Sequence, residues 1–277
     1  MKTDLYIECL GSAGRAILIA GGALVLARCL IGRMAGLSRK QNIVAWTLLA
    51  IPFFSPSLLS GYAYSSFAFS SVGNEVLYAV LLLVKLTPLA ALVLAFSPPR
   101  MSRDAQYSFR LTGHRRPLSR IGMWLRGPAQ IRIAGFALIA LLAFGEFELA
   151  SFFMASSWTV TLFDLQVGGL PISESLGLAA TPLIIEIGLL AIVMTILFRM
   201  GAQAEPIVHR PDRATPLRLI AFWGYLASAL TAALIIPFIQ VCAGSLSGLS
   251  AFLSDFSLSR EIGASLFMAG LTLLVVG

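Results

Sequence analysis

The sequence predicts an all-α protein, a polytopic bundle of transmembrane helices. Of its 277 residues, 58% are hydrophobic and only 12% are charged, and the mean hydropathy is +0.87. Water-soluble domains carry about twice that charged fraction, so a soluble enzyme is excluded. The apolar residues are gathered into runs of about 20 or more, the length that crosses a bilayer. These observations predict about six complete spans and a truncated seventh.

The apolar runs give the spans in chain order. The first is a retained helix rather than a signal peptide, since Asp4 and Glu8 precede it and no clear cleavage pattern follows. Pro52 and Pro56 interrupt the second run. The seventh stops at Gly277, about 17 residues into a span, so either the sequence is a fragment of a longer chain or the end of this span is unusual. The predicted spans are 10–32, 43–69, 76–98, 131–155, 176–198 and 217–247, and the seventh begins near 261.

The basic residues indicate the orientation of the spans. Fifteen of the twenty Lys and Arg residues lie in segments 33–42, 99–132 and 199–218, which alternate with segments that carry mainly acidic residues. Because Lys and Arg are retained on the cytoplasmic side during insertion, these three segments are predicted to be cytoplasmic and the N-terminus outside. We therefore expect a multi-pass protein of the cell's inner (plasma) membrane. The formal charge of +7 is explained by topology, and no nucleic-acid partner is expected.

A polar stretch divides the chain into two predicted parts. Residues 201–216 contain Pro206, Pro211 and Pro216 and are interpreted as a cytoplasmic linker. Residues 1–200 then form one module, and residues 217–277 form the start of a second, incomplete one.

The longest predicted loop, residues 99–130, has an internal pattern of its own. The part before Thr112 lacks Pro and Gly and can be helical, Gly113 suits a left-handed helix C-cap, and Pro117 suits the first turn of a second helix. Composition alone favours an amphipathic element on the anionic inner leaflet, with its arginines on lipid phosphates.

The loop also resembles the coupling loop of the permease subunits of importers driven by ATP-binding cassette (ABC) ATPases. That loop has the pattern Glu-Ala-Ala, three residues, Gly, and a later Leu-Pro pair. Gly113 and Leu125 agree with the pattern, whereas Arg126 stands in place of Pro. Tyr107, Ser108 and Phe109 stand in place of Glu-Ala-Ala.

Further along, Gly145-Glu146-Phe147 is similar to the Gly-Glu-Phe of iron-type permeases. The interrupted second span and the Trp158 to Asp164 segment also resemble this family. The resemblance covers about residues 10–200 and is nearest to two-module ferric-iron and thiamine permeases of the type I importer class.

The resemblance implies a set of partners and a role for the loop. It implies that Tyr107, Ser108, Phe109, Gly113 and Leu125 couple the chain to ABC ATPase subunits. An extracytoplasmic solute-binding protein would deliver the solute, for which ferric iron is the candidate, and a second module would lie in the same chain or in a homodimer. The chain has no Gly-x-x-x-x-Gly-Lys-Ser/Thr loop, so ATP is expected on the partner subunit. We expect no catalysis and no cofactor in this chain.

Four ionisable residues fall inside the predicted spans, where charges are costly and usually face a cavity or each other. Lys85, Glu146 and Glu186 lie at one depth, roughly 14 Å below the outer surface at about 1.5 Å per residue. They either line a translocation path or pin helices together through an ion pair of Lys85 with Glu146 or Glu186. Arg15, near an outer span end, can reach the headgroups and needs no function. The four candidates are Lys85, Glu146, Glu148 and Glu186.

Two other functions remain open at this point. An ion-coupled secondary transporter would use the buried Lys85 and the carboxylates and would need no ATPase. A truncated membrane scaffold that transports nothing is the other. No metal site is expected, because Cys9, Cys29 and Cys242 are far apart and lack metal-binding spacings.

Overall fold

The computed structural model describes residues 2–65, 67, 70–96, 128–200, 216–255, 263–265 and 267–268. Within these residues the regular elements are all helical and no strand occurs, as predicted. The helices are α1 (Lys2–Met34), α2 (Arg39–Phe54), α3 (Ser57–Ser65), α4 (Ser71–Phe96), α5 (Pro128–Phe144), α6 (Glu148–Phe152), α7 (Trp158–Val167), α8 (Ile172–Met200), α9 (Pro216–Leu230), a π-helical turn (Thr231–Ile235) and α10 (Ile236–Asp255).

The helices confirm a multi-pass membrane protein in outline. By length and composition, four of the described helices can cross a bilayer, and a fifth span results if α2 and α3 are counted as one. The four are Leu5–Met34, Ser71–Phe96, Ile172–Phe198 and Leu219–Ser245.

Two predicted spans are broken in the structure. The second run becomes α2 and α3, which are bent by 69° relative to each other. The fourth run, 131–155, ends as a helix at Phe144 and resumes only as the five-residue α6. Its apolar part, Ala129–Phe144, is shorter than a full crossing needs. The predicted count of six complete spans is therefore not reproduced in the described residues.

Helix α1 lies at the centre of the bundle and packs against both α4 and α5. The face that it buries includes a row of small side chains, of which Ala20, Ala23 and Ala27 are fully buried. Small residues let helix backbones approach closely, which is how helices associate where water provides no hydrophobic driving force.

The last described helices pack on the broken second span. Helix α9 contacts α2, and α10 contacts α3. Phe222 and Leu226 of α9 are buried in the common apolar core. The division of the chain at 201–216 stays a prediction, but the helices on either side of it share one core.

Candidate functional site

The break in the second span is built from local sequence. Ser38 caps α2, because its hydroxyl accepts a hydrogen bond from the Gln41 amide at 3.4 Å and the Gln41 side chain accepts one in return at 3.2 Å. The helix ends at Ser55, whose backbone is extended (φ −64°, ψ 127°). A residue before proline is disfavoured in the helical region, and Pro56 supplies no amide hydrogen, so the chain leaves the helix there.

Lys85 reaches this break from α4. Its ammonium group donates a hydrogen bond to the hydroxyl of Ser57, the first residue of α3. Lys85 is partly buried, lies near the middle of a membrane-capable helix and forms no ion pair with any described carboxylate. A cation at this depth is costly unless it faces polar groups or water. The break therefore places the side-chain nitrogen of Lys85 beside buried hydroxyls.

Three more hydroxyls of the break point at one place on the facing span. Ser55 donates to the Ala233 carbonyl at 2.7 Å, and Ser60 donates to the same oxygen at 3.4 Å. Tyr64 donates to the Ala232 carbonyl at 2.9 Å. All three side chains are buried. The broken span is thus joined by hydrogen bonds to the π-helical turn.

Glu146 lies in a second break, between α5 and α6. Its carboxylate accepts a hydrogen bond from the Leu149 amide at 3.1 Å, so it caps the short α6. Its backbone carbonyl accepts a hydrogen bond from the Thr159 hydroxyl at 3.1 Å, and the Trp158 indole donates to the Phe144 carbonyl at 2.8 Å. These contacts give Glu146 a structural role. A role in the path stays a prediction.

Glu186 faces the same break from α8. A Cβ built on Gly145 would lie 3.0 Å from Oε1 of Glu186, so the carboxylate lies directly against this glycine. Glu186 forms no ion pair or hydrogen bond within the described part of the chain. Glu148, by contrast, is exposed in the first turn of α6.

The candidate path residues therefore fall into two groups. Glu146 and Glu186 both border the break at Gly145, whereas Lys85 borders the break at Ser57. No described ion pair joins Lys85 to Glu146 or Glu186.

An ion pair that sequence reasoning missed lies nearer the predicted outer side. Arg15 of α1 donates to both carboxylate oxygens of Glu75, at 2.7 and 2.9 Å, and also to the Ser156 carbonyl. Glu75 in turn accepts a hydrogen bond from the Ser156 amide at 3.0 Å, and the Arg15 guanidinium lies 5.5 Å from the centre of the Tyr78 ring. Interpreting Arg15 as a residue that only reaches the headgroups was wrong, because it joins α1, α4 and the segment before α7. Its position near an outer span end, with Glu75 at the same level, was the available signal.

The predicted coupling residues lie outside the described residues, so their role stays a prediction. They are Tyr107, Ser108, Phe109, Gly113 and Leu125.

Among the described residues, no three His, Cys, Asp or Glu side chains are grouped as a metal ion would require. The chain matches no protein-family model, no curated protein and no solved structure.

Proposed function

We propose that this chain is the permease subunit of an ABC importer in the inner membrane. A solute delivered by an external binding protein passes through it, and ATP is hydrolysed on separate ATPase subunits. Ferric iron is the candidate solute, because iron-type permeases are nearest in pattern.

The observation that carries the proposal is the broken second span with a charged residue beside it. In transport proteins, interrupted helices at membrane depth are tolerated where the freed backbone lines a cavity or is buried in protein. Here the break has buried hydroxyls from Ser55, Ser57 and Ser60, and it holds the ammonium group of Lys85. A helix bundle that served only as a membrane anchor has no need of such a costly arrangement.

The predicted loop at residues 99–130 supports the ATPase part of the proposal. The sequence pattern, which predicts two helices separated by a glycine, is similar to that of the element that docks into the ATPase in the ABC permeases. If the loop serves only topology, changes that keep its charge should be tolerated.

The ATPase partner is tested by purification. The tagged chain is purified in mild detergent, and the proteins that copurify are identified. We expect a stoichiometric ATPase with a P-loop. Phe109→Ala and Gly113→Val should each reduce the recovered ATPase at least tenfold at equal permease yield, whereas Ser102→Ala, in the same segment but before the motif, should not. If no ATPase is recovered under conditions that retain other membrane complexes, the proposal fails.

The role of Glu146 in transport is tested by Glu146→Gln. The glutamine side chain keeps an oxygen that can cap α6 and removes only the charge. Loss of uptake in a well-assembled variant supports a path residue, whereas normal uptake assigns Glu146 to structure alone. Glu174→Gln is the matched control, because this carboxylate in the first turn of α8 is exposed and is not a candidate path residue.

A specific observation also favours an ion-coupled secondary transporter. Glu186 is partly buried within a membrane-capable helix and lacks a described partner, as a proton-carrying carboxylate would. Uptake by the purified chain in vesicles, driven by a proton gradient without any ATPase, would establish this second function.

A further inference from the structure

The contact between α3 and the π-helical turn has a cause in the sequence that directly follows the turn, at the start of α10. Pro237 has no amide hydrogen. In an α-helix the amide at this position would donate to the Ala233 carbonyl, and in a π-helix it would donate to the Ala232 carbonyl. The missing amide thus leaves the Ala233 carbonyl without its helical donor in the α register and the Ala232 carbonyl without it in the π register. They are the two carbonyls that Ser55, Ser60 and Tyr64 reach.

The π-helical turn has a neighbouring hydrogen-bond register. In the structure, the Ile236 amide donates to the Thr231 carbonyl, five residues back. In the α register the same amide would donate to the Ala232 carbonyl, four residues back. Ala232 would then be satisfied from within its helix and would no longer depend on Tyr64.

The two neighbouring carbonyls differ in this respect. In the α register the residue opposite the Ala233 carbonyl would be Pro237, which has no amide hydrogen to donate. The bond from Ser55 is thus needed in the α register and is also present in the observed π register, whereas the bond from Tyr64 matches the π register only. Ser55 lies at the hinge between α2 and α3, and Tyr64 lies near the far end of α3.

We propose that the π-helical turn and α3 form a two-state latch. In the closed state, the one observed, Tyr64 holds α3 against the turn in its π register. In the open state the turn adopts the α register, Tyr64 is released, and α3 swings about the break at Ser55 and Pro56. The latch links the break beside Lys85 to the shape of the α9–α10 span, and it does not depend on an ATPase or on the identity of the solute.

The geometry suits a reversible contact. Helix α3 has only nine residues, and its docking bonds join neutral hydroxyls to carbonyls. A single neutral hydrogen bond changes an equilibrium by about two- to tenfold, so its loss shifts populations without unfolding the bundle.

Distance measurements between spin labels on α3 and α10 test the latch. The labels are attached at Leu58→Cys and Ile239→Cys, both exposed positions, in the full chain in lipid nanodiscs with the three native cysteines replaced. Tyr64→Phe removes only the hydroxyl and should raise the population of a second distance about two- to tenfold. Pro237→Ala supplies the missing amide, which can donate to Ala233 in the α register or to Ala232 in the π register. Either bond takes over a carbonyl that now depends on a hydroxyl of Ser55 or Tyr64, so this variant should raise the population of the same second distance.

Tyr62→Phe is the matched control. Tyr62 lies on the same helix but is 63% exposed. The Tyr62→Phe variant should therefore give the same distribution of label distances as the wild type. An unchanged single distance in both Tyr64→Phe and Pro237→Ala overturns the proposal, as does a second distance that appears equally in Tyr62→Phe. If one of the two test variants fails to assemble, the other still reports on the same equilibrium.

Discussion

Replacing Gly61 by alanine should separate α3 from α6. A Cβ at this position would lie 2.5 Å from Cδ2, 2.7 Å from Cγ and 3.0 Å from Cβ of Phe152. Ordinary contact begins near 3.4 Å, so the two helices must move apart by about 1 Å. The Phe152 Cβ is held by its own backbone, and the clash cannot be relieved by rotation of the ring alone.

The size of the effect follows from two opposing terms. Overpacking of this kind costs about 1–3 kcal/mol, and contacts this short belong at the upper end. The better helix propensity of alanine returns about 1 kcal/mol. The free energy of unfolding of Gly61→Ala should therefore fall by about 2 kcal/mol, measured by denaturant unfolding in mild detergent with tryptophan fluorescence as the signal.

Two further variants make the test specific. Gly177→Ala, on α8, has no atom within 4 Å of the added methyl group, so its stability should be unchanged or slightly higher. In a Phe152→Ala background, Gly61→Ala should cost much less, since the partner of the clash is gone. If Gly61→Ala is as stable as Gly177→Ala, the close packing of α3 on α6 is refuted.

Three other predictions concern polar contacts and are checked by the same unfolding assay. Arg15→Met and Glu75→Gln should each lower the free energy of unfolding by about 1 kcal/mol, and the double variant should lose no more than the worse single one. Fully additive losses would contradict their pairing. Glu146→Ala should lose about 1 kcal/mol through the bond to Leu149 that caps α6, and Glu146→Gln should lose clearly less; equal losses would argue against the cap. Trp158→Phe keeps a ring against Phe144 but removes the indole donor, and it should lose about 1 kcal/mol, whereas no loss would make that hydrogen bond unimportant.

Hydrophobic pattern was sufficient to place the long helices. The runs at 10–32, 176–198 and 217–247 coincide with described helical segments that can cross a bilayer, and the described part of the run at 76–98 lies within Ser71–Phe96. An unbroken apolar run of this length has few alternatives in lipid, because a helix is the structure that satisfies its own backbone there.

The breaks were harder to predict than the spans. Pro52 and Pro56 marked the second span as interrupted, and a 69° bend occurs there. The break at Gly145 carried no proline, and the apolar residues on both sides favoured one continuous span. Next to the break, the Glu146 carboxylate accepts a hydrogen bond from the nearby Leu149 amide, and the Trp158 indole, 14 residues further along the chain than Phe144, donates to the Phe144 carbonyl. The second of these contacts could not be predicted from the local sequence.

The site residues show the same division between local and tertiary information. Counting residues along a span gave Lys85 and Glu186 a common depth, but depth does not tell which side of a helix faces which neighbour. Lys85 consequently meets Ser57, a residue freed by the bend of another span, rather than a carboxylate. Ser57 could have been found only by recognising that a broken helix exposes its first hydroxyl at membrane depth.

The hydrogen bonds between the broken second span and the π-helical turn depend on two prolines acting together. Pro56 ends α2 and places Ser55 at a bend, while Pro237 leaves carbonyls without a donor on another span. Ser55 and Ala233 are 178 residues apart in sequence, yet each supplies the polar group that the other lacks. In lipid no water can replace either partner, so the two breaks must meet if both are to be tolerated. The second span and the last described span therefore constrain each other, and the position of a proline in one determines where a hydroxyl is needed in the other.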